Sequence, residues 1–327
     1  MNDVLILVET KEGSLDKKTL ELIRGASALA KDLETATAAV VVGNETTAQA
    51  DAVAGYGLNR VYRLEHPLLK DFQPDAWVAA LEWLCKQISP RVFLISHAFV
   101  GREVAPRLAY RLNTELTTDC TALQIDPADK ALVRTKPIYG GNAVAILKAE
   151  GTPQLVTVRK GAFDPAEPGS VKSEMAVMEP PLDPSAIRVK SLKTVAQEIV
   201  ELDKASVVIS GGRGIQAKED FDLLVALAKA MSKTHGNVMV GCSRPVVDKC
   251  WLSSDHQVGL TGSMISPDAY VAIGISGAVQ HLVGMIRSKK IIAINSDAGC
   301  NMFKVADYGI VADYKEILPA LIKKMEE

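Results

Sequence analysis

Short runs of β-branched residues alternate with longer amphipathic stretches through the first third of the chain. Apolar runs at 4–8, 38–42, 60–64 and 92–96 read as buried strands, and between them the segments 15–32, 46–56, 74–88 and 102–112 repeat apolar positions at helical spacing. Alternation of this kind predicts βαβ units and a parallel sheet. From about Thr114 the rhythm turns strand-rich, with segments at 122–125, 136–139, 143–148 and 154–158. Turn signals join them, among them Gly140-Gly141-Asn142 and Gly151-Thr152-Pro153, and they read as antiparallel additions to the sheet.

Between 164 and 184 the composition shifts toward Pro, Glu, Asp and Ser, with Pro165, Pro168, Pro180, Pro181 and Pro184, which predicts an extended connector. A domain boundary is expected near residues 185–200, dividing an N-terminal α/β domain (1–190) from a second domain (191–327). In the second, strands at 206–210, 238–241, 269–275, 290–295 and 308–311 alternate with helices at 217–232, 277–286 and 317–325. The expected fold class is α/β with two domains, the C-terminal one a doubly wound, Rossmann-like nucleotide-binding pattern.

Composition narrows the function classes. With 327 residues and 48% apolar content the chain can bury a sizeable core. Thirty-seven basic residues nearly cancel 39 acidic ones, which removes the global positive field that recruits nucleic acid or anionic membrane. Cys85, Cys120, Cys242, Cys250 and Cys300 are widely spaced, with no CxxC pair or zinc-type histidine spacing, and fit a reducing compartment. The first strand begins almost at Met1, so no leader or transit segment is expected, and no apolar run reaches membrane-span length. The prokaryotic cytoplasm is the expected location, a matured organellar protein the alternative.

The unusual residues gather at strand ends of the second domain, where glycine turns and helix N-termini offer unpaired backbone N–H groups. Ser210-Gly211-Gly212-Arg213-Gly214 lets backbone approach a ligand and adds a planar cation suited to phosphate. Gly241-Cys242-Ser243-Arg244-Pro245 repeats the theme and is followed by Gln257-Val258-Gly259-Leu260-Thr261-Gly262. A third strand runs into Ser276-Gly277-Ala278-Val279-Gln280-His281, where Ser276 reads as the N-cap of a helix and His281 as the end of its first turn. Asn295 ends a fourth strand, where an amide can pair with a base or ribose. Taken singly, each has a plainer explanation: a glycine turn with a solvated arginine, or a satisfied core histidine.

As an ordered set, SGGRG, GCSRPVVD, QVGLTG, YVAIGISGAVQH, AIN and ADYGIVAD resemble the FAD domain of the electron-transfer flavoprotein alpha subunit, from Ser206 to the C-terminus. The first half is similar more loosely, through its opening strand and overall pattern. The resemblance implies FAD as cofactor. By the same resemblance, Arg213 and Ser243 contact the phosphate and neighbouring polar parts of FAD, and Arg244 lies against the isoalloxazine ring. Gln257, Val258, Gly259, Thr261 and Gly262 line the flavin with the Thr261 hydroxyl near N5; Ser276, Gly277, Ala278, Val279, Gln280 and His281 cradle it with His281 near O2; Asn295 and Asp313 hold the adenosine. Arg244, Thr261 and His281 are then the tuning residues for single-electron transfer, with no catalytic residue as such. Leu260 stands where many members have glutamine, and Ala298-Gly299-Cys300-Asn301-Met302-Phe303 replaces a more usual Ala-Pro-Ile-Phe, departures that bear on flavin potential more than on binding.

The implied partners are a smaller beta subunit holding a second nucleotide (AMP or FAD), an acyl-CoA or related dehydrogenase, and a quinone reductase or other acceptor. Neither nucleic acid nor direct membrane insertion is expected. Electron bifurcation with NADH is a variant of the same reading. Two other classes are an NAD-dependent oxidoreductase, which the missing G-x-G-x-x-G spacing disfavours, and a non-catalytic nucleotide-binding protein. The Asp-rich stretches at 126–129 and 198–203 read as solvated faces, and Ser210 lacks a hydrolase elbow.

Overall fold

A computed structural model describes residues 3–11, 14–141, 143–169, 173–186 and 200–326. The chain forms two compact units, Met1–Lys193 and Thr194–Glu327, and each is described by itself. The expected dividing point between 190 and 191 lies outside the described residues.

In the first unit, Val4–Leu7 (β1), Thr37–Gly43 (β2), Arg60–Glu65 (β3) and Val92–Ser96 (β4) are parallel strands, with helices Lys17–Leu33 (α1), Thr47–Ala54 (α2), Pro74–Ile88 (α3) and Phe99–Leu112 (α4) between and after them. Helix α1 begins where the Asp16 carboxylate accepts the Lys18 amide hydrogen and ends at left-handed Glu34; α3 starts on Pro74, whose missing N–H is no loss in a first turn. Core side chains of β1 are fully buried on both faces, Val4 and Ile6 toward α1 and Leu5 and Leu7 toward α3 and α4.

The strand-rich middle differs from expectation. Leu116–Cys120 (β5) was not foreseen, and among the described strands of this middle stretch Ala122–Ile125 (β6), Leu132–Ile138 (β7) and Ala143–Leu147 (β8) are antiparallel, forming a separate three-stranded sheet. Gln154–Val158 (β9) is parallel and central, between β4 and β5, because Leu155, Val156 and Val158 are buried and demand cover on both faces. Segment 164–184 is also more than a connector. Glu174–Met178 (β10) adds an edge strand parallel to β3, anchored by a 2.8 Å Arg60–Glu174 ion pair, and the Ala166 and Gly169 amides bond to Leu20 and Gly55. The main sheet therefore runs β10-β3-β2-β1-β4-β9-β5.

At the start of α2, the Thr46 amide and hydroxyl donate to Glu65 Oε1 at 2.9 and 2.8 Å, and Arg63 donates to the same oxygen at 2.6 Å. Burial pushes the Glu65 carboxyl up, but the Thr46 and Arg63 bonds outweigh it and hold it below the ordinary range. Glu65→Gln is expected to destabilise the protein by about 1–2 kcal/mol at pH 7. A carboxyl depressed on folding contributes fully above its unfolded pKa, and the contribution fades as pH falls through the folded value. Denaturant midpoints of both proteins at neutral and acidic pH test this; a gap that stays constant into acid contradicts it.

The second unit is a five-stranded parallel sheet: Val207–Gly211 (β11), Val238–Cys242 (β12), Ala269–Ile273 (β13), Lys290–Asn295 (β14) and Tyr308–Val311 (β15), in the order β12-β11-β13-β14-β15. Helices Phe221–His235 (α5), Arg244–Asp248 (α6), Val279–Met285 (α7) and Tyr314–Glu326 (α8) accompany it, and α6 was not anticipated. Helix α5 starts at Phe221, later than expected, because the Asp220 carboxylate takes the Ala217 amide and holds 217–220 in a turn. Among the described residues no helix is long and apolar enough to cross a membrane.

Candidate functional site

The strand order of the second unit reverses at β11: the chain moves outward to β12 and then returns to β13 on the other side, so a crevice opens at the C-terminal ends of β11 and β13. Its floor is main chain. The Gly212 amide donates to the Ile273 carbonyl at 2.8 Å and the Gly214 amide to the Gly274 carbonyl at 2.9 Å. A Cβ on Gly212 would stand 2.2 Å from the Gly274 oxygen, so the two loops can meet only without side chains. Arg213 rises, exposed, from this turn.

A second group of loops lies beside it. Ser243 is buried at the end of β12, its amide bonded to the Gly211 carbonyl at 3.0 Å, and Arg244 follows with an exposed guanidinium 3.6 Å from Asp248. The Cys242 carbonyl accepts the Val258 amide, Gln257 Nε2 donates to Thr261 Oγ1 at 2.7 Å, and the Leu260 amide donates to the Gln280 carbonyl at 2.8 Å. Gly259, at φ +140°, packs on the backbones of Gln280 and Gly284, and Gly262 packs on that of Gln257. Ser243, Arg244, Gln257, Val258, Gly259, Thr261, Gly262, Gln280 and His281 thus form one neighbourhood, with Leu260 exposed on it.

Ser276 is not a helix cap. Gly274 and Gly277 adopt φ +62° and +80°, left-handed positions that keep the chain out of the helix, and α7 begins at Val279 after Ala278, without a side-chain cap. Gly277 sits against the Met302 backbone nitrogen, so the unusual 298–303 segment buttresses this loop, with Cys300 and Met302 buried. Ser276, Ala278, Val279 and Gln280 are exposed.

His281 is buried, in the first turn of α7, with Nε2 2.8 Å from the Tyr270 hydroxyl and Nδ1 lacking a partner of hydrogen-bond geometry. Burial pushes the imidazole down to about 4, and the Val258 backbone opposes this only in part, so the ring is neutral near pH 7. Sequence reasoning missed Tyr270; a tyrosine within the aliphatic run Ala269–Ile273 was the available signal, because a buried phenol needs a partner.

Asn295 and Asp313 line one pocket with Gly214, Gly274 and Tyr314. The Asn295 amide is engaged at both ends, donating to the Ile275 carbonyl at 3.0 Å and accepting from the Asp297 amide at 3.0 Å, so it staples its loop to the one after β13. One Asp313 oxygen accepts the Lys315 amide at 2.9 Å, and Tyr314 bonds to Asp220 and Gln216 beside it.

Of the two Asp-rich stretches, residues 198–199 lie outside the described residues. Asp126 and Asp129 are joined by Lys148 at the surface, at 2.6 and 2.8 Å; Ser210 is fully buried; and no metal-binding cluster occurs among the described residues.

Comparison with known proteins identifies the family. Residues 4–183 match the electron transfer flavoprotein domain, and residues 201–286 the electron transfer flavoprotein FAD-binding domain. An electron transfer flavoprotein subunit alpha of Thermoanaerobacterium thermosaccharolyticum is 37% identical over 99% of this chain and 98% of its own. The acryloyl-CoA reductase electron transfer subunit beta of Anaerotignum propionicum is 35% identical, over 99% of this chain and 96% of its own. Subunit LctC of the lactate dehydrogenase (NAD(+),ferredoxin) of Acetobacterium woodii is also 35% identical, over 99% of this chain and 77% of its own. The chain belongs to the electron transfer flavoprotein alpha-subunit family.

Proposed function

We propose that this chain is the FAD-carrying subunit of a two-subunit electron carrier, taking electrons from an acyl-CoA or related dehydrogenase and giving them to a quinone reductase or another acceptor. The observation that carries the reading is the ordered set of glycine-lined strand ends within a segment matching an FAD-binding domain. The local chemistry fits an FAD. Main-chain floors admit a close-lying dinucleotide, the exposed Arg213 and Arg244 can meet anionic or electron-rich groups, and the unpartnered Nδ1 of His281 is a buried polar atom awaiting a contact.

In this proposal Arg213 and Ser243 hold the phosphates and Arg244 lies on the isoalloxazine. Gln257, Val258, Gly259, Thr261 and Gly262 line the ring, with Thr261 near N5, and Ser276 to His281 cradle it with His281 near O2. Asp313 meets the adenosine, and Asn295 acts there through the loop it staples. Bound FAD supplies one-electron chemistry; the protein's share is to set how strongly each electron is held. A beta subunit binds the chain and holds a second nucleotide, AMP or FAD.

The name of the Acetobacterium relative, which pairs NAD(+) with ferredoxin, favours a second reading, in which the complex bifurcates electrons with a nicotinamide as one partner. Flavin content of the co-purified heterodimer decides: one FAD marks the simple carrier and two the bifurcating form. Arg244→Ala is expected to keep the fold while lowering the potential of the alpha-subunit flavin and speeding its loss on dialysis. A colourless heterodimer that takes up no added FAD refutes the proposal.

A further inference from the structure

Tyr270, His281 and Ser210 are buried together beneath the flavin-side loops, in surroundings otherwise supplied by apolar residues such as Val258, Ala272 and Met285. The Tyr270 side chain is fully buried, and its hydroxyl lies 2.8 Å from His281 Nε2. Burial pushes the phenol far up, and the neighbouring Ser210 hydroxyl opposes that rise, so Tyr270 keeps its hydrogen and has one to give. Ser210 Oγ makes no hydrogen bond of good geometry in return.

A neutral imidazole has one donor and one acceptor nitrogen, and the bond made by one nitrogen decides which is which. Two directions are open. If Nε2 donated to the phenol, the Tyr270 hydrogen would have to turn toward Ser210 and a bare lone pair would be left at Nδ1, beside the Val258 backbone. Ser210 Oγ has no hydrogen-bond partner, so in that direction the fully buried phenol hydrogen would be left without an acceptor of good geometry. The opposite direction gives that hydrogen an acceptor: Tyr270 donates to Nε2, and the imidazole hydrogen stands on Nδ1, which no protein group meets with hydrogen-bond geometry.

We infer that Tyr270 is a positioning residue for His281: its hydroxyl donates to Nε2, fixes the ring, and places the imidazole hydrogen on Nδ1. The unpartnered nitrogen is then a donor, the polarity an electron-rich flavin edge requires. This rests on the proposed place of His281 at the flavin, but the tautomer itself can be read without it.

The test uses the co-expressed heterodimer labelled with nitrogen-15 in histidine, as wild type, Tyr270→Phe and Ser210→Ala. In the wild type His281 is expected to show a pyridine-type shift at Nε2 and a pyrrole-type shift at Nδ1. In Tyr270→Phe the Nε2 signal moves and the two tautomers mix, while the comproportionation constant of the bound flavin changes at least threefold. Ser210→Ala moves the same signals less. A hydrogen found on Nε2 in the wild type overturns the inference, as do unchanged imidazole shifts in Tyr270→Phe or, if that variant fails to fold, in Ser210→Ala. A changed tautomer with an unchanged flavin constant overturns the link from Tyr270 to the cofactor. Failure of the His281 reading shows separately, as a His281→Ala protein whose flavin potentials match the wild type.

Discussion

Gly212→Ala is expected to destabilise the second unit by about 3 kcal/mol or more and to abolish flavin retention. The new methyl carbon would lie 2.2 Å from the Gly274 oxygen, 2.7 Å from its carbonyl carbon and 2.7 Å from the Ile275 Cα, all main-chain atoms that cannot rotate away. Relief requires parting the loops after β11 and β13, which breaks the 2.8 and 2.9 Å bonds that join them. With total stability of order 5–15 kcal/mol, a loss of this size is a large fraction of the whole. Gly299→Ala is the control, because its nearest neighbour is an Asp297 oxygen at 3.4 Å and it lies on the surface; its effect is expected within about 0.5 kcal/mol. Urea midpoints and the ratio of flavin to protein after gel filtration check both. A Gly212→Ala protein with wild-type midpoint and full colour would show that the loops are not joined as described.

His281→Ala is expected to leave FAD bound and to lower the potential for its first electron by about 65–130 mV, the equivalent of losing a hydrogen bond of about 1.5–3 kcal/mol to a charged group. Because burial pushes the imidazole down to about 4, the wild-type ring acts near neutral pH as an uncharged donor, and the difference between the two proteins is expected to be nearly constant from pH 6.5 to 8. Toward acid the ring gains a proton, and the wild-type potential rises relative to the variant. His235→Ala, on an exposed helix end, is the control and is expected to leave the potential in place. Stepwise reduction in a spectroelectrochemical cell measures the shift, and equal potentials would remove His281 from the role given to it.

The elements most legible in the sequence were those whose local chemistry agreed with their packing. The helix expected at 74–88 occurs as Pro74–Ile88, since Pro74 is suited to a first turn, and the strand expected at 92–96 occurs as Val92–Ser96, an unbroken buried run. Legibility failed where tertiary contacts decided. Leu116–Cys120 carries Thr117, Thr118 and Asp119, too polar to announce a strand, yet it pairs with β9. Glu174–Met178 sits in a charged, proline-flanked stretch, with Met175 and Val177 exposed, and is a strand only because the edge of β3 was open to it. Two left-handed glycines delayed α7 past Ser276, which a helix-start rule based on capping residues could not anticipate. At the candidate site the glycine turns and arginines were visible as motifs. Tyr270 acts on a residue one strand end away, and no short-range pattern marks that pairing.

The meeting of the two glycine loops has one further result. Peptide groups, unlike side chains, are identical whatever the residue, so the base of the crevice is insulated from substitution at the positions around it. Arg213, Arg244 and Leu260 stand exposed over a foundation whose shape they do not set. Exchanging one of these exposed side chains can therefore alter the charge and polarity above the crevice without remoulding its base.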